Sequence, residues 1–427
     1  MTDERTTAPT RQASCQDDYD PESLSVDEAR MRMREFVTPI TGIERVAVRA
    51  ALGRVLAESV RARFPVPQHT NAAMDGYAIR GDSLPPSGHQ AFTEIGVSLA
   101  GRPFDGSVGP DQCVRITTGA VVPEGADTVV MQEHVARDKN NILIDNNHKA
   151  GQNVRAAGED IAPGDDVLLV GHRMTPADLG LVASLGLTEV GVRRKLRVAF
   201  FSTGDELRSL GEPLAPGTIY DSNRYTLWGM LTAMGAEVVD MGVVRDDEQA
   251  LVAAFHEAGA IADVVITSGG VSVGEADYTR QVLAAVGEVA LWKVAMKPGR
   301  PMAFGRVGEA VFFGLPGNPV SVMVTFYQFV QPVLRQMLGA ATSLIPTVTA
   351  LTTCRLKKRP GRVEFQRGVL ARGEDGGWTV TPTGDQGSGI LTSMSEANAF
   401  IVLDTDSRGV DVGMTVEVQP FFGVLDG

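Results

Sequence analysis

Residues 196–207 read LRVAFFSTGDEL, and residues 262–270 read ADVVITSGG. Each stretch is a short apolar run, typical of a strand buried on both faces, that ends in a polar turn containing glycine. Similar runs alternate with capped, helix-like segments, such as RYTLWGMLTAMG at 224–235. This alternation predicts a parallel, doubly wound, three-layer α/β domain over residues 196–345.

The regions that flank this segment have a different pattern of apolar runs and turn residues. Residues 64–154 contain short β-like runs broken by Gly, Pro, Asp and Asn, which predict an inserted β domain. Helix-start signals stand on both sides of it, a capping box that begins at Ser25 and an N-cap at Thr175 followed by proline. We therefore expect an N-terminal domain built from residues 23–63 and 155–195. Residues 346–427 predict a C-terminal β-barrel or sandwich, and residues 1–22 a disordered tail.

Composition excludes several classes of function. The chain has 39 Lys and Arg against 52 Asp and Glu, a net charge of −13, which disfavours general binding to nucleic acid or to anionic membranes. No run of 18 apolar residues occurs, and residues 1–20 lack the apolar stretch of a secretory signal. We expect a cytoplasmic protein with no nucleic-acid or membrane partner.

Cysteine and histidine narrow the choice of metal. Three cysteines (Cys15, Cys113 and Cys354) lie far apart in the sequence, so neither a disulfide framework nor a thiolate zinc site is indicated. The six histidines do not show the spacing of a zinc hydrolase. A metal would therefore be held by carboxylates, and hard oxygen ligands favour Mg²⁺.

Four polar, glycine-rich turns follow or connect the apolar runs. They are STGDEL at 202–207, TSGGVSVGEADY at 267–278, KPGRP at 297–301 and GLPGNP at 314–319. Ligands of open parallel sheets bind at the carboxyl ends of the strands, so we expect all four turns at one edge. Glycine lets backbone N–H groups approach an anion, although a single such turn could be only a tight connection. TSGG is neither a Walker A loop nor a G-x-G-x-x-G fingerprint.

Charged residues cluster in the same turns. Glu206, Asp246 and Asp277 stand just beyond strand ends, where converging carboxylates would bind Mg²⁺ beside a phosphate. Asp246 and Asp277 could instead be helix N-caps, and both roles can coexist. Lys293 and Lys297, with Arg300 nearby, predict a local cationic site, the alternative being solvated surface lysines.

Further candidates lie at other turns. Asn318 before Pro319 has the form of an N-cap, which would leave the helix start at 319–321 free to meet an anion. Asp75 and Thr118 occupy tight turns of the insert, and turn chemistry alone would explain them. In the C-terminal part, Arg367 and Ser388 are possible oxyanion contacts.

The motifs in this order resemble the molybdopterin molybdenumtransferase (MoeA) family, to which the E domain of gephyrin is related. The resemblance spans residues 22–422, and its motifs are NAAMDGYA, RITTGAVVPEGAD, GEDI, FSTGDEL, TSGGVSVGEADY, WKVAMKPGRP, GLPGNPVS and GRVEFQRG. It implies a subunit of four parts: an elongated N-terminal domain, an inserted β domain, a molybdopterin-binding α/β domain and a C-terminal β-barrel. It also implies a homodimer whose cleft takes the inserted domain from the second subunit.

The implied reaction is Mg²⁺-dependent: molybdate and adenylylated molybdopterin give molybdenum cofactor and AMP, the last step of the pathway. Matching motif positions imply catalytic roles for Asp277, Asp246, Glu206, Lys293, Lys297, Asp75 and Thr118, the first three also as metal ligands. They imply substrate binding by Thr267, Ser268, Gly269, Gly270, Ser272, Pro298, Pro316, Gly317, Asn318, Pro319, Ser321, Arg367 and Ser388. Other proteins of the molybdenum cofactor pathway are possible partners.

Two alternatives remain open from the sequence. The related α/β domain also serves nucleotide-dependent adenylyltransferases, and AMP release only when molybdate is present would separate the two activities. A binding scaffold is the other alternative, because the gephyrin domain docks receptor peptides. The charged turns are intact here, which favours catalysis.

Overall fold

The structure is a computed structural model, and it describes residues 23–139, 141–270, 282–283, 285–340 and 345–421. Over residues 23–195 the helices and strands in chain order are α1 (Val26–Phe36), β1 (Ile43–Ala47), β2 (Val60–Arg61), β3 (Asn71–Ala72), β4 (Gly76–Ile79), β5 (His89–Ser98), β6 (Gln112–Ile116), β7 (Thr128–Met131), β8 (Val135–Asp138), β9 (Asn141–Asp145), β10 (Val154–Arg155), β11 (Asp166–Leu168), α2 (Pro176–Ser184) and β12 (Glu189–Arg193). Short 3₁₀ turns lie at Val48–Ala51, Gly81–Ser83 and Gln132–His134.

Both predicted helix starts are confirmed. The Ser25 hydroxyl accepts the N–H of Glu28 at 3.1 Å, which caps α1. Thr175 caps α2 in a reciprocal box with Asp178. Helix α1 ends at Phe36, and Val37 is already extended ahead of Pro39.

Strand pairing joins distant parts of the first 195 residues. β1 pairs with β12 and β2 with β11, both antiparallel, over a shared core that includes Leu56, Val182 and Val192. Between them, β4 to β9 form a six-stranded sheet in the order β7-β4-β6-β5-β9-β8. This sheet has its own core around Phe92 and Ile142. The six-stranded sheet is thus inserted in the chain between the strands that form the β1–β12 and β2–β11 pairs.

The central region contains the α/β sheet. Its elements are β13 (Arg197–Thr203), β14 (Leu207–Arg208), β15 (Ile219–Tyr220), α3 (Ser222–Ala233), β16 (Glu237–Val244), α4 (Glu248–Ile261), β17 (Val264–Ser268), β18 (Gly287–Lys293), β19 (Met296–Lys297), β20 (Pro301–Val307), β21 (Ala310–Leu315), α5 (Pro319–Thr325), a π-helical turn (Phe326–Val330) and α6 (Gln331–Met337). The six-stranded sheet has the order β16-β13-β17-β21-β20-β18.

The prediction of a parallel sheet is correct for the pairing of four strands and wrong for the two pairings of β20. β16, β13, β17 and β21 are parallel, whereas β20 pairs antiparallel with β21 on one side and with β18 on the other, so β20 runs against the other five strands. A two-residue turn at Gly308 and Glu309 connects β20 to β21, and so short a connection can only form an antiparallel hairpin. The three-layer arrangement is confirmed, because apolar residues are buried on both faces of the sheet.

Helix α1 packs against the α/β sheet, although the chain continues from it into β1. Its buried residues Val26, Ala29 and Met33 belong to the same core cluster as Phe200 of β13 and Phe313 of β21. α4 covers the opposite face with Leu251 and Phe255. The three buried residues of α1 recur at the spacing of one helix face, which explains why this helix docks there.

Residues 345–421 form the last unit. Its elements are β22 (Val348–Thr352), β23 (Val363–Arg372), β24 (Trp378–Pro382), α7 (Leu391–Glu396), β25 (Ala399–Leu403) and β26 (Thr415–Pro420). Pairing in the order β23-β24-β22-β26-β25, with β25 returning to β23, closes a five-stranded barrel. This settles the barrel-or-sandwich alternative in favour of a barrel. Strand β19 of the α/β region adds to the barrel by pairing with β23.

Gln328 joins three parts of the molecule. Pro332 lacks an N–H, so the carbonyl of Gln328 cannot receive the bond that a regular helix would supply, and the helix widens into the π-helical turn here. The Nε of Arg30 in α1 donates to that carbonyl at 3.3 Å, and its guanidinium also contacts the Gln328 amide oxygen. The Gln328 amide nitrogen donates to Gln419 of β26 at 2.9 Å.

We predict that Arg30→Leu lowers the free energy of unfolding by about 1–3 kcal/mol, because it leaves two buried acceptors of Gln328 without donors. Arg32→Leu is the matched control, since Arg32 pairs with Glu28 at the surface of the same helix and should change stability by less than about 0.5 kcal/mol. Urea unfolding measures both. Equal losses of unfolding free energy in the two variants would show that the bonds of Arg30 to Gln328 add nothing to stability.

Candidate functional site

The described parts of the four predicted turns lie at one edge of the α/β sheet, as expected, while residues 271–278 of the second turn lie outside the described residues. β13, β17 and β21 are parallel neighbours, so the turns after Thr203, Ser268 and Leu315 emerge on the same side. β20 runs antiparallel to β21, and its first residues therefore stand at the same edge, preceded by KPGRP. Sheet topology alone brings these segments together, and the edge that they form is called the ligand edge below.

Gly269 lets two of these turns approach closely. It has a φ of +92°, and a Cβ at this position would lie 2.5 Å from the carbonyl oxygen of Thr203. Its N–H donates to the carbonyl of Leu315 at 3.1 Å. Gly317 of the next turn has only the Cα of Gly269 nearby, at 4.0 Å from its ideal Cβ position. A side chain at Gly269 would force the strand ends apart.

Asn223, which the sequence analysis did not single out, connects the same turns. Its amide nitrogen donates to the Ser268 hydroxyl at 2.8 Å and to the Gly317 carbonyl at 2.7 Å. Asn223 is the second residue of α3, just after the N-cap Asp221. The available signal was the polar triplet DSN at 221–223, with which α3 begins.

Unsatisfied polar atoms are concentrated at the ligand edge. Among the described residues, nine buried side-chain atoms have no hydrogen-bond partner, and five belong to strand ends or to the start of α3. These five are Ser202 Oγ, Thr203 Oγ1, Thr267 Oγ1, Asp221 Oδ2 and Asn223 Oδ1. Each such atom costs about 1–3 kcal/mol when it stays unpaired, so a ligand that supplies partners would bind favourably here.

The carboxylate of Asp246 feels the charges of two acidic residues in the turn after β13. Burial raises the pKa of Asp246, and the negative charges of Asp205 and Glu206 raise it further. The capping alternative for Asp246 is wrong, because the carboxylate of Asp247 accepts the N–H of Ala250 at 2.9 Å and caps α4 instead. Asp246 is therefore available for another role.

Two of the three expected metal ligands, Glu206 and Asp246, are among the described residues. Within the ranges that the structure covers, no three His, Cys, Asp or Glu side chains are arranged to hold a metal ion. Asp277, the third expected ligand, and Ser272, an expected substrate contact, lie outside the described residues. Glu206 has its carboxylate close to Gly204, where a Cβ would meet it at 2.6 Å.

The expected cations lie on the barrel side of the edge. Lys297 donates to Glu364 of the barrel at 3.2 Å, and the lysine is half exposed while the carboxylate is buried. Pro298 follows it, and Arg300 is buried with 7% of its surface exposed. Lys293 ends β18, and its carbonyl accepts the N–H of Leu24. β18 and β19 thus supply the two lysines to the region where sheet and barrel meet.

The start of α5 differs from the prediction in one respect. Asn318 is at the N-cap position and Pro319 at the first helical position, as expected, but the Asn318 side chain makes no capping bond. The N–H of Val320 donates to the carbonyl of Ser388 at 3.1 Å, so this part of the helix start is not free to meet an anion. The same bond places Ser388 of the barrel next to Pro316–Ser321.

Arg367 organises the loop that carries Ser388. Its side chain is 1% exposed, and burial lowers its pKa to about 10. The guanidinium donates to the carbonyls of Asp385, Gln386 and Gly387 and to the Ser393 hydroxyl. These bonds hold residues 385–387 in the position from which Ser388 reaches α5.

Asp75 and Thr118 contact each other in the inserted sheet. The backbone N–H of Thr118 donates to the Asp75 carboxylate at 2.6 Å and its hydroxyl donates at 2.7 Å. Both donors stabilise the ionised form and lower the pKa of Asp75. The two residues form one exposed unit in a sheet that has a separate core from the α/β region.

Comparisons with known proteins extend over nearly the whole chain. Sequence-family models match residues 24–186 as the MoeA N-terminal region (domain I and II), residues 199–336 as a probable molybdopterin binding domain and residues 349–421 as the MoeA C-terminal region (domain IV). The protein of Haemophilus influenzae named molybdopterin molybdenumtransferase is 44% identical over 404 residues, which cover 94% of this chain and 100% of that protein. The chain belongs to the molybdopterin molybdenumtransferase (MoeA) family.

A second relative and a solved structure also support this family membership. A molybdopterin molybdenumtransferase of Nostoc sp. is 37% identical over 381 residues, 86% of each chain. The crystal structure of a molybdopterin biosynthesis moeA protein from Pyrococcus horikoshii OT3 has a TM-score of 0.82 and 29% identity, and covers 93% of this chain and 100% of that one. The MoeA fold class expected from the sequence is confirmed, and the chain is an enzyme of this family with a role in molybdenum cofactor biosynthesis. No helix among the described residues is long and apolar enough to span a bilayer.

We predict that Asp246→Asn raises the thermal midpoint at pH 7 in EDTA. A carboxyl whose pKa is raised by folding contributes stability that is present at low pH and is lost as pH rises through the raised pKa. The gain of the variant should therefore disappear below about pH 4. Asp247→Asn is the control, because asparagine keeps the capping oxygen. A lower midpoint for Asp246→Asn at pH 7 would contradict a raised pKa of Asp246 in the folded protein.

Thr118→Val should raise the pKa of Asp75 while leaving it below its ordinary value, because the backbone donor remains. Thr117→Val is the matched control, since its hydroxyl accepts from Ala100 instead. Titration of ¹³C-labelled aspartate carboxyls measures both variants. An unshifted Asp75 in Thr118→Val would show that the hydroxyl contributes nothing.

Proposed function

We propose that this protein inserts molybdate into adenylylated molybdopterin and releases AMP, the last step of molybdenum cofactor biosynthesis. The observation that carries the proposal is the ligand edge, where the described parts of four turns of a probable molybdopterin binding domain converge. Five buried polar atoms there have no partner among the described residues. Family membership supplies the reaction class.

Anion binding at the ligand edge follows from its donors. Thr267 and Ser268 end β17, and Gly269 and Gly270, which follow it, both have positive φ, which turns the backbone sharply. We assign the phosphate of the pterin to this turn and to the facing turn at Pro316–Ser321. Backbone N–H groups and the hydroxyls would donate to its oxygens.

Molybdate is assigned to the seam between the α/β region and the barrel. Lys293, Lys297, Pro298 and Ser321 belong to the α/β side of this seam, and Ser388 belongs to the barrel side. Two lysines would neutralise part of the oxyanion charge. Arg367 acts here by positioning residues 385–388, because its own donors already bond to backbone carbonyls.

We assign a Mg²⁺ site to the acidic residues beside the ligand edge. Burial, and after it the negative charges of Asp205 and Glu206, raise the pKa of Asp246, and a bound cation would favour the ionised form of this carboxyl. We assign Asp246 and Glu206, together with Asp277, as its ligands. The cation would neutralise charge on the adenylyl phosphate. No side-chain nucleophile is needed, since the residues position the two substrates and stabilise charge.

A second copy of the chain would complete the cleft. We assign Asp75 and Thr118 to the partner's ligand edge, and the homodimer to a surface that includes the segment from β14 to α3. This segment exposes large apolar side chains, which are Leu210, Leu214, Ile219, Tyr220, Tyr225 and Trp228. Clustered exposed apolar residues mark association surfaces. In this proposal the N-terminal, inserted, α/β and barrel domains keep the boundaries expected from the sequence. Other proteins of the molybdenum cofactor pathway deliver or receive the pterin.

The decisive experiment mixes the purified protein with adenylylated molybdopterin and Mg²⁺, with and without molybdate, and measures AMP by chromatography. AMP release that depends on molybdate is expected. Lys297→Met should slow it by about tenfold or more, because one charge at the oxyanion is lost. Lys195→Met, an exposed lysine that precedes β13, is the control and should be unchanged. Absence of molybdate-dependent AMP release would overturn the proposal.

A further inference from the structure

Asn223 is held rigidly between two turns of the ligand edge. Asp221 caps α3 by accepting the N–H of Arg224 at 3.1 Å, which fixes the backbone just before Asn223. Leu227 and Leu231, one and two turns later, are fully buried in the core. Asn223 itself is 9% exposed. Its amide therefore has little freedom to turn away from its partners.

The two hydrogens of the Asn223 amide nitrogen are both used. One bond goes to the Ser268 hydroxyl at 2.8 Å and the other to the Gly317 carbonyl at 2.7 Å. Ser268 ends β17 and Gly317 lies in the turn after β21. The amide therefore fixes the spacing of the two turns to which we assign the phosphate of the pterin.

The direction of the bond to Ser268 has a chemical consequence. An amide N–H can only donate, so the Ser268 oxygen accepts, and its own hydrogen must point elsewhere. The bond from Asn223 is the one that this hydroxyl makes among the described residues. Ser268 is 2% exposed, and its hydroxyl is left as a donor at the ligand edge.

We propose that Asn223 is a positioning residue, which orients the Ser268 hydroxyl as a hydrogen-bond donor to an oxyanion of bound molybdopterin and holds the Gly317 turn beside it. This inference rests on the proposed function, because it uses the same ligand edge. The Asn223 carbonyl oxygen is itself buried without a partner among the described residues. A side chain kept only for packing would leave no such acceptor unpaired.

The geometry explains why asparagine occupies this position. Aspartate has the same shape but no donor, so it would repel the Gly317 carbonyl and would accept from Ser268 instead. The serine hydrogen would then turn toward residue 223 and away from the ligand. Alanine would release both turns. Either substitution removes the bond that orients the Ser268 hydroxyl. Asn223 and Ser268 should therefore act as one unit in binding.

The test is a double-mutant cycle on molybdopterin affinity, measured by fluorescence titration with wild type, Asn223→Ala, Ser268→Ala and the double variant. Each single variant should bind about tenfold more weakly, since a hydrogen bond to a charged group contributes on that order. The double variant should bind no more weakly than the weaker single variant. A loss in the double variant equal to the product of the single losses would overturn the inference.

Two further variants separate positioning from stability. Asn223→Asp keeps the shape of the side chain and should lose affinity as Asn223→Ala does, with its thermal midpoint recorded alongside. The control is Thr226→Ala on the same helix: the Thr226 side chain is half-buried and donates only to the carbonyl of Ser222, so this variant should bind as wild type does. Wild-type affinity in Asn223→Asp would overturn the inference. Failure of the wild-type protein to bind molybdopterin would refute the proposed function, whereas wild-type binding with an additive cycle would refute only the role of Asn223.

Discussion

The parallel pairing of β17 between β13 and β21 is the constraint on which the site depends. Residues 264–268 are in register with residues 198–202 on one side and 311–315 on the other, so three strands end together. The close approach at Gly269 is possible because no side chain stands between the Thr203 carbonyl and the next turn. A strand slipped by one residue would turn its side chains to the opposite faces and would separate the turns.

This arrangement is built at a cost in stability. Polar atoms of Ser202, Thr203 and Thr267 are buried at the strand ends without partners among the described residues, and Asp246 lies near two other carboxylates. Stability is supplied elsewhere, by the apolar layers on both sheet faces and by the Gln328 junction that ties α1 and the barrel to the sheet. An unsatisfied edge on a rigid frame is the expected form of a preformed anion site.

Much of this could be predicted from the sequence, because strand runs and their turns are local signals. The α/β alternation, both helix caps and the shared edge of the four turns followed from periodicity and from Gly, Pro and Ser positions. Long-range partners were not predictable. The reversed direction of β20 depends on its pairing with β21 and β18, and the bonds of Asn223 reach segments 45 and 94 residues away, while those of Arg367 reach a segment about 20 residues away. Asp246 was a plausible cap until the structure showed that its neighbour Asp247 fills that role.

The most direct test of the central claim is a crystal structure of the protein with molybdopterin bound. The account predicts that the phosphate of the pterin lies within hydrogen-bond distance of the Ser268 hydroxyl and of backbone N–H groups in the turns after β17 and β21. It also predicts that the previously unpaired oxygens at the strand ends gain partners from the ligand. Molybdopterin bound away from these turns, with Ser268 and Gly269 making no contact to it, would contradict the account.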